Sequence, residues 1–194
     1  FSTLLDIGLY KNQFTINVSN RKIVQGLIND LKIPEDKQLG VIRAIDKLDK
    51  FGLKGVEDLL KKERKDASGA ITKGANLNDE QASRILNFLK IKDLKTLKEN
   101  LNNSLSQEGI KELEDVFEII GFSSDLNQVK TNFAIVRGLE YYSDFIVETN
   151  LNFKVTNNKG KQVDIGSICS GGAYAKLISR FKGVDIPGTG VSFG

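Results

Sequence analysis

The sequence predicts an α+β fold, an antiparallel sheet whose strands are parted along the chain by a long helical insertion. Three observations lead there. Near the start, Phe14-Thr15-Ile16-Asn17-Val18 alternates apolar and polar side chains, the period of a half-buried strand. From residue 36 to about 129 apolar residues recur at helical spacing, and no stretch reads as a strand. Beyond residue 130 the period returns to two. The chain therefore divides into 1–35, 36–129 and 130–194.

In the first stretch an apolar segment (Leu4, Leu5, Ile7, Leu9) precedes the strand. Ser19 or Asn20 can cap a helix that carries Ile23, Leu27, Ile28 and Leu31 on one face, and Pro34 is expected to end it. In the second stretch Leu39, Ile42, Ile45 and Leu48 share a helical face, with a stop at Phe51-Gly52. Val56, Leu59 and Leu60 form a short helix running into Lys61-Lys62-Glu63-Arg64-Lys65, and a glycine-bearing loop follows (Ser68-Gly69, Lys73-Gly74). Asn78 caps a helix with Ala82, Ile85, Leu86 and Leu89, and Ser106 opens another with Ile110, Leu113, Val116, Phe117 and Ile120. In the third stretch Phe133-Ala134-Ile135-Val136 reads as an apolar strand, and Phe145-Ile146-Val147 and Phe153-Lys154-Val155 follow. A polar turn, Asn157-Asn158-Lys159-Gly160, leads to a returning strand through Val163, Ile165 and Ile168. Gly171-Gly172 is expected to break that strand, and Tyr174, Leu177, Ile178 and Phe181 to form a short helix. Ile186-Pro187-Gly188-Thr189-Gly190-Val191 makes a turn into a last strand.

Composition excludes several kinds of chemistry. With no histidine and one cysteine, the chain offers neither a histidine-based triad nor a zinc cluster, and it has no G-x-x-x-x-G-K-[ST] phosphate loop. No apolar run approaches the roughly 18 residues that cross a bilayer, and a net charge of +3 is too small to announce nucleic-acid binding by itself. A lone cysteine cannot form an internal disulfide, which makes a reducing, cytoplasmic setting the natural expectation. A chain of 194 residues that starts at Phe1, contains no methionine and stops at Gly194 reads as cut from something longer at both ends.

Chemistry must then rest on arginine, tyrosines, carboxylates and backbone groups. The densest polar cluster is Arg137-Gly138-Leu139-Glu140-Tyr141-Tyr142, directly after an apolar run. These residues suit a plain strand end, with Arg137 reaching to solvent and the tyrosines packed with wet hydroxyls. They equally suit a ligand site. A guanidinium is a permanent planar fork for phosphate oxygens, two tyrosines offer hydroxyls and ring faces, and Gly138 admits a close approach. The second cluster is Cys169-Ser170-Gly171-Gly172-Ala173-Tyr174, either a strand-to-helix turn with a buried thiol or a glycine-lined wall that brings Tyr174 to the same mouth. The lysines around 61–65 and 90–98 are interleaved with Glu57, Asp58, Glu63, Asp66 and Asp93, so they read as a solvated face as readily as a phosphate-binding one.

Taken in order, IVRGLEYY, strands through Glu148, GSICSGG-x-Y-x-KL and IPGTGVSFG are similar to the histidyl-tRNA synthetase family. IVRGLEYY resembles its first histidine-specific signature, SGG-x-Y its second, GVSFG the opening of its class II motif 3, and FTINVSNRK its core strand after motif 2. The helical middle falls where bacterial members carry an insertion domain. The resemblance implies a class II synthetase core that joins L-histidine to ATP as histidyl-adenylate and passes the acyl group to tRNA(His). Arg137 would face the α-phosphate, Tyr141, Tyr142 and Tyr174 would line the histidine pocket, and Gly138, Gly171 and Gly172 would shape it. ATP is then a substrate accompanied by Mg2+, with no metal ligand expected in this segment. A homodimer is implied for the full-length protein, and no membrane. Two departures stand out. Ala173 and Ala175 occupy the places of an arginine and an aspartate in the second signature, and Ser143-Asp144-Phe145 follows the tyrosines where the family has Thr-Gly and a small residue. They keep a second function open, a synthetase-like regulatory subunit of ATP phosphoribosyltransferase that binds ligand without charging tRNA.

Overall fold

The structure is a computed structural model and describes residues 1–65, 71–121, 126–136, 142–163, 165–174, 179, 181, 183–184 and 186–194. The chain enters through α1 (Ser2–Asp6) and a 3-10 turn, then forms β1 (Phe14–Asn20) and α2 (Arg21–Asp30). Next come α3 (Glu35–Ile45), α4 (Leu48–Lys61), a ribbon of β2 (Arg64–Lys65) and β3 (Ile71–Thr72), α5 (Asp79–Lys90), α6 (Leu94–Asn100) and α7 (Ser104–Gly121). The remaining strands are β4 (Val129–Thr131), β5 (Phe145–Leu151), the hairpin β6 (Val155–Thr156) and β7 (Gln162–Val163), β8 (Ser167–Ala173) and β9 (Thr189–Phe193). Five of them make one sheet in the order β4-β1-β5-β8-β9, antiparallel except for the parallel β1–β4 pair. This is a mixed α/β fold around a mostly antiparallel sheet.

Alternation along β1 decides what covers each face. Ile16 and Val18 point to one side with Phe145 and Val147 of β5, and they join a core built from Ile23, Val24 and Leu27 of α2 and Ile110 and Leu113 of α7. Ile23, Leu27, Ile110 and Leu113 are essentially fully buried, each contributing about 1.5–3 kcal/mol by leaving water. The α2–α7 crossing is close because Gly26 has no side chain. A Cβ there would stand 2.1 Å from Ser106 Oγ. Ser106 Oγ instead donates to the Ile23 carbonyl at 3.1 Å. The same core continues through Val41, Ile45, Val56, Leu60, Ile85, Leu89 and Leu97, so the helical stretch and the α2 side of the sheet share one apolar interior.

Several expectations fail in instructive ways. Asn20 does cap α2, accepting from Lys22 N at 3.0 Å, but the helix ends at Asp30 rather than at Pro34. Lys32 takes a φ of 50° to turn the chain, and Pro34 serves as the N-cap of α3. The apolar face through Leu39, Ile42, Ile45 and Leu48 belongs to two helices that part at Asp46-Lys47, and Gly52, at φ 64°, kinks α4 rather than ending it. The β2–β3 ribbon takes up Arg64-Lys65 of the basic run and Ile71-Thr72 of the expected loop, where no strand was read. Phe133-Ala134-Ile135-Val136 is no strand. Asn132 closes a turn, its side chain accepting from Ala134 N at 3.2 Å and its carbonyl from Ile135 N at 3.2 Å, which sends Phe133 and Val136 into the core. Gly171 and Gly172 lie inside β8 and do not break it. The helix expected through Tyr174 and Phe181 falls mostly outside the described residues. Among the described residues no helix is long and apolar enough to cross a membrane.

Candidate functional site

The face of the sheet away from α2 and α7 is polar. The strand registers put Asn17, Glu148, Ser170 and Ser192 in one row across β1, β5, β8 and β9. The neighbouring row is Ser19, Ile146, Gly172 and Gly190. Asn17 Nδ2 donates to Asn150 Oδ1 at 2.9 Å, and Asn150 Nδ2 donates to Glu148 Oε1 at 3.2 Å. Glu148 is only 5% exposed. With Asn150, Asn132, Asp46 and Asp49 it lines a hollow that this face shares with the α3–α4 junction. Ser19 is fully buried, and its Oγ has no hydrogen-bond partner among the described residues.

Two tyrosine rings lie against the row of small residues. A Cβ on Gly172 would stand 2.9 Å from Tyr142 Cδ1 and 2.6 Å from the Phe145 carbonyl, so Tyr142 can lie on the strand only because residue 172 is glycine. Tyr174 donates its backbone N–H to the Gly188 carbonyl at 2.8 Å. Its ring packs on Gly188 and Gly190, whose added Cβ atoms would approach it to 2.5 and 3.1 Å. On the opposite face a Cβ at Gly171 would meet the Gly190 carbonyl at 2.2 Å, so this glycine admits β9 rather than a ligand. Ser143 N donates to the Ala173 carbonyl at 2.9 Å, drawing the residue after Tyr142 to the residue before Tyr174. Tyr142, Tyr174, Gly171 and Gly172 are thus brought together at the β5–β8–β9 end of the sheet. Arg137, Gly138, Tyr141 and Ala175 lie outside the described residues. Cys169 is buried beside Thr149, and burial pushes its thiol up while the hydrogen bond with Thr149 opposes that.

Asn17, Glu148 and Asn150 were not singled out from the sequence. The signal was there in FTINVSN, whose Thr15, Asn17 and Ser19 fall on one face. Alternation alone cannot separate a solvated face from the floor of a site. The burial of Ser19 and Glu148 is what distinguishes them.

Comparison with known proteins bears on the family and the fold. The profile of the histidyl-tRNA synthetase family matches residues 2–194. A histidine–tRNA ligase of Pelagibacter ubique is 74% identical over 195 residues, covering 100% of this chain and 42% of that relative. The crystal structure of histidyl-tRNA synthetase from Nostoc sp. PCC 7120 superposes with a TM-score of 0.76 at 30% identity, over 100% of this chain and 42% of that one. A Bacillus halodurans structure, described as an ATP phosphoribosyltransferase regulatory subunit/histidyl-tRNA synthetase, shares the fold at a TM-score of 0.73 and 18% identity, over 98% of this chain and 44% of that one. This chain therefore spans about two fifths of the length of the relatives it matches. With signatures, sheet and profile in agreement over essentially its whole length, the chain belongs to the histidyl-tRNA synthetase family.

Proposed function

We propose that this chain supplies the floor and one wall of the site in which a full-length histidine–tRNA ligase works. Residues 1–35 and 130–194 are its parts of the catalytic core, and 36–129 the helical insertion. The observation that carries the proposal is the polar face, where Tyr142 and Tyr174 flank Gly172 and Gly190 beside the Asn17–Glu148–Ser170 row. A planar, polar side chain such as imidazole fits between two tyrosines, because their hydroxyls bond its nitrogens and an apolar isostere would leave them unpaired. In the first step a carboxylate oxygen of histidine attacks the α-phosphorus of ATP, and pyrophosphate leaves. Arg137 stabilises the negative charge that develops on the phosphoryl oxygens. Tyr141, Tyr142 and Tyr174 hold the amino acid, Gly138 lets it approach the backbone, and Gly172 seats the Tyr142 ring. In the second step the terminal ribose hydroxyl of tRNA(His) attacks the adenylate carbonyl, and AMP leaves. The partners are L-histidine, ATP with its Mg2+, tRNA(His) and a second copy of the protein, in the cytoplasm.

Histidine-dependent ATP–pyrophosphate exchange and tRNA(His) charging by the full-length protein test this. Both activities are expected. Histidine binding without exchange or charging would favour the regulatory-subunit reading that Ala173 and Ala175 keep in play.

A further inference from the structure

We propose that Lys22 is a positioning residue for the histidine pocket, tethering α7 to the short segment that carries Tyr142. The inference rests on the ligase reading. Lys22 lies in the first turn of α2, with Nζ 2.7 Å from Glu108 Oε1, 3.0 Å from Asp144 Oδ1 and hydrogen-bonded to Glu112. Asn20, which caps the same turn, also donates to Glu112. The Lys22 side chain is 17% exposed, so salt screens these contacts less than those of surface pairs. Partial burial works against its charge, but the hydrogen bonds to Glu108, Glu112 and Asp144 outweigh it and hold the ammonium above the usual lysine range.

Asp144 lies two residues past Tyr142 and is held by α2 in two ways, through Lys22 and through its carbonyl, which accepts from Arg21 N at 2.8 Å. Ser143 ties the other side of the segment to Ala173. Helix α7 comes close at this point. A Cβ on Gly109 would stand 3.0 Å from Lys22 Cβ and 2.9 Å from Asn20 Oδ1. One ammonium therefore bridges three converging carboxylates from α7 and from the segment before β5. Without it Asp144 would repel Glu108 and Glu112, and the displacement would pass directly to a Tyr142 ring packed on Gly172.

The test uses pyrophosphate exchange by the full-length protein with Lys22→Met, Asp144→Asn, the double variant and Lys22→Arg. Lys98→Met is the control, because it removes a pairing with Glu114 of α7 that does not reach the tyrosine segment. The histidine KM is expected to rise about three- to tenfold in each single variant, the scale of coupling through such networks. The double variant should be no worse than the singles, Lys22→Arg should recover most of the effect, and the ATP KM and the control should stay at wild-type values. Loss of folded enzyme alone would lower kcat and leave the histidine KM unmoved. If Lys22→Met does not fold, Asp144→Asn decides. An unchanged histidine KM in the folded variants, or additive effects in the double, overturns the tether while leaving the ligase reading standing. A wild-type protein without histidine-dependent exchange overturns that reading, and the tether with it.

Discussion

Charged groups on the helical stretch and polar groups on the sheet are used in opposite ways. On the helices the groups around Lys61 and Lys98 answer one another, while Glu108 and Glu112 of α7 meet Lys22 of α2. Lys61 pairs with Glu57 at 3.0 Å and Asp79 at 2.8 Å, and Lys98 pairs with Glu114 at 2.8 Å. On the sheet Glu148 and Asn150 line a hollow, and two tyrosines lie over glycines farther along the same strands. Exposed pairs of the first kind are worth little and are easily replaced. Polar groups of the second kind are set side by side by strand pairing and linked to one another, Asn17 to Asn150 and Asn150 to Glu148. The difference teaches that the helical stretch supplies stability through its apolar side, whereas the sheet puts its apolar side to stability and leaves its polar side for the chemistry proposed above.

The largest expected effects lie at the extremes of that contrast. Ile85, on α5, is fully buried in the shared core. Ile85→Ala should cost about 2–5 kcal/mol in urea unfolding of the full-length protein, from lost transfer energy and the cavity left behind. The folded fraction should keep the wild-type histidine KM, and a raised KM would show that the helical core also shapes the pocket. Arg137→Ala should do the reverse, lowering exchange turnover about a hundred- to a thousandfold (about 2.7–4 kcal/mol) at little cost in stability. Arg137→Lys keeps the charge without the fork and should remain badly impaired. Turnover within a few-fold of wild type in Arg137→Ala would remove it from the assigned role.

How legible the molecule was in its sequence follows the same division. Where a local pattern acts through local physics, it could be read directly. FTINVSN is a strand, Asn20 caps α2, and Asn78 caps α5, its side chain accepting from Gln81 N at 2.8 Å. Patterns that depend on partners far along the chain misled. Gly171-Gly172 looks like a break until β9 and Tyr142 are seen to occupy the space that side chains would need. Phe133-Ala134-Ile135-Val136 looks like a strand because burial on several sides leaves no period, and Asn132 turns it instead. The two signatures pointed to Tyr142 and Tyr174, but Glu148 and Asn17 are seen to be neighbours only once the register sets them side by side.

Tyr142→Phe should sharpen the account of the sheet. It keeps the ring that packs on Gly172 and removes only the hydroxyl. One net hydrogen bond, about 0.5–1.5 kcal/mol, corresponds to a rise of roughly three- to tenfold in the histidine KM. In the proposed role the hydroxyl binds the substrate before and during reaction alike, so turnover at saturating histidine should stay near that of the wild type. Abolished turnover with unchanged KM would instead place the hydroxyl at the reacting atoms.

The smallest effect is expected at Lys61, where the helical face can be tested directly. Its ammonium is held above the usual lysine range by hydrogen bonds to Asp79 and Glu57, and in return it holds both carboxylates below theirs. A carboxylate whose pKa is lowered on folding contributes stability above its unfolded pKa and loses it as pH falls through the folded value. Lys61→Met should therefore melt close to wild type at neutral pH, the pair being solvent-screened, and show a slightly flatter loss of stability on the acid side. Its effect on tRNA should be just as slight. With two carboxylate partners already at hand, Lys61 has little to gain from a phosphate, so the slope of log affinity against log salt should match that of the wild type. A slope reduced by about one would mean that Lys61 neutralises a phosphate in the complex. In that case the helical face would bind nucleic acid, and its charges could no longer be described as answering only one another.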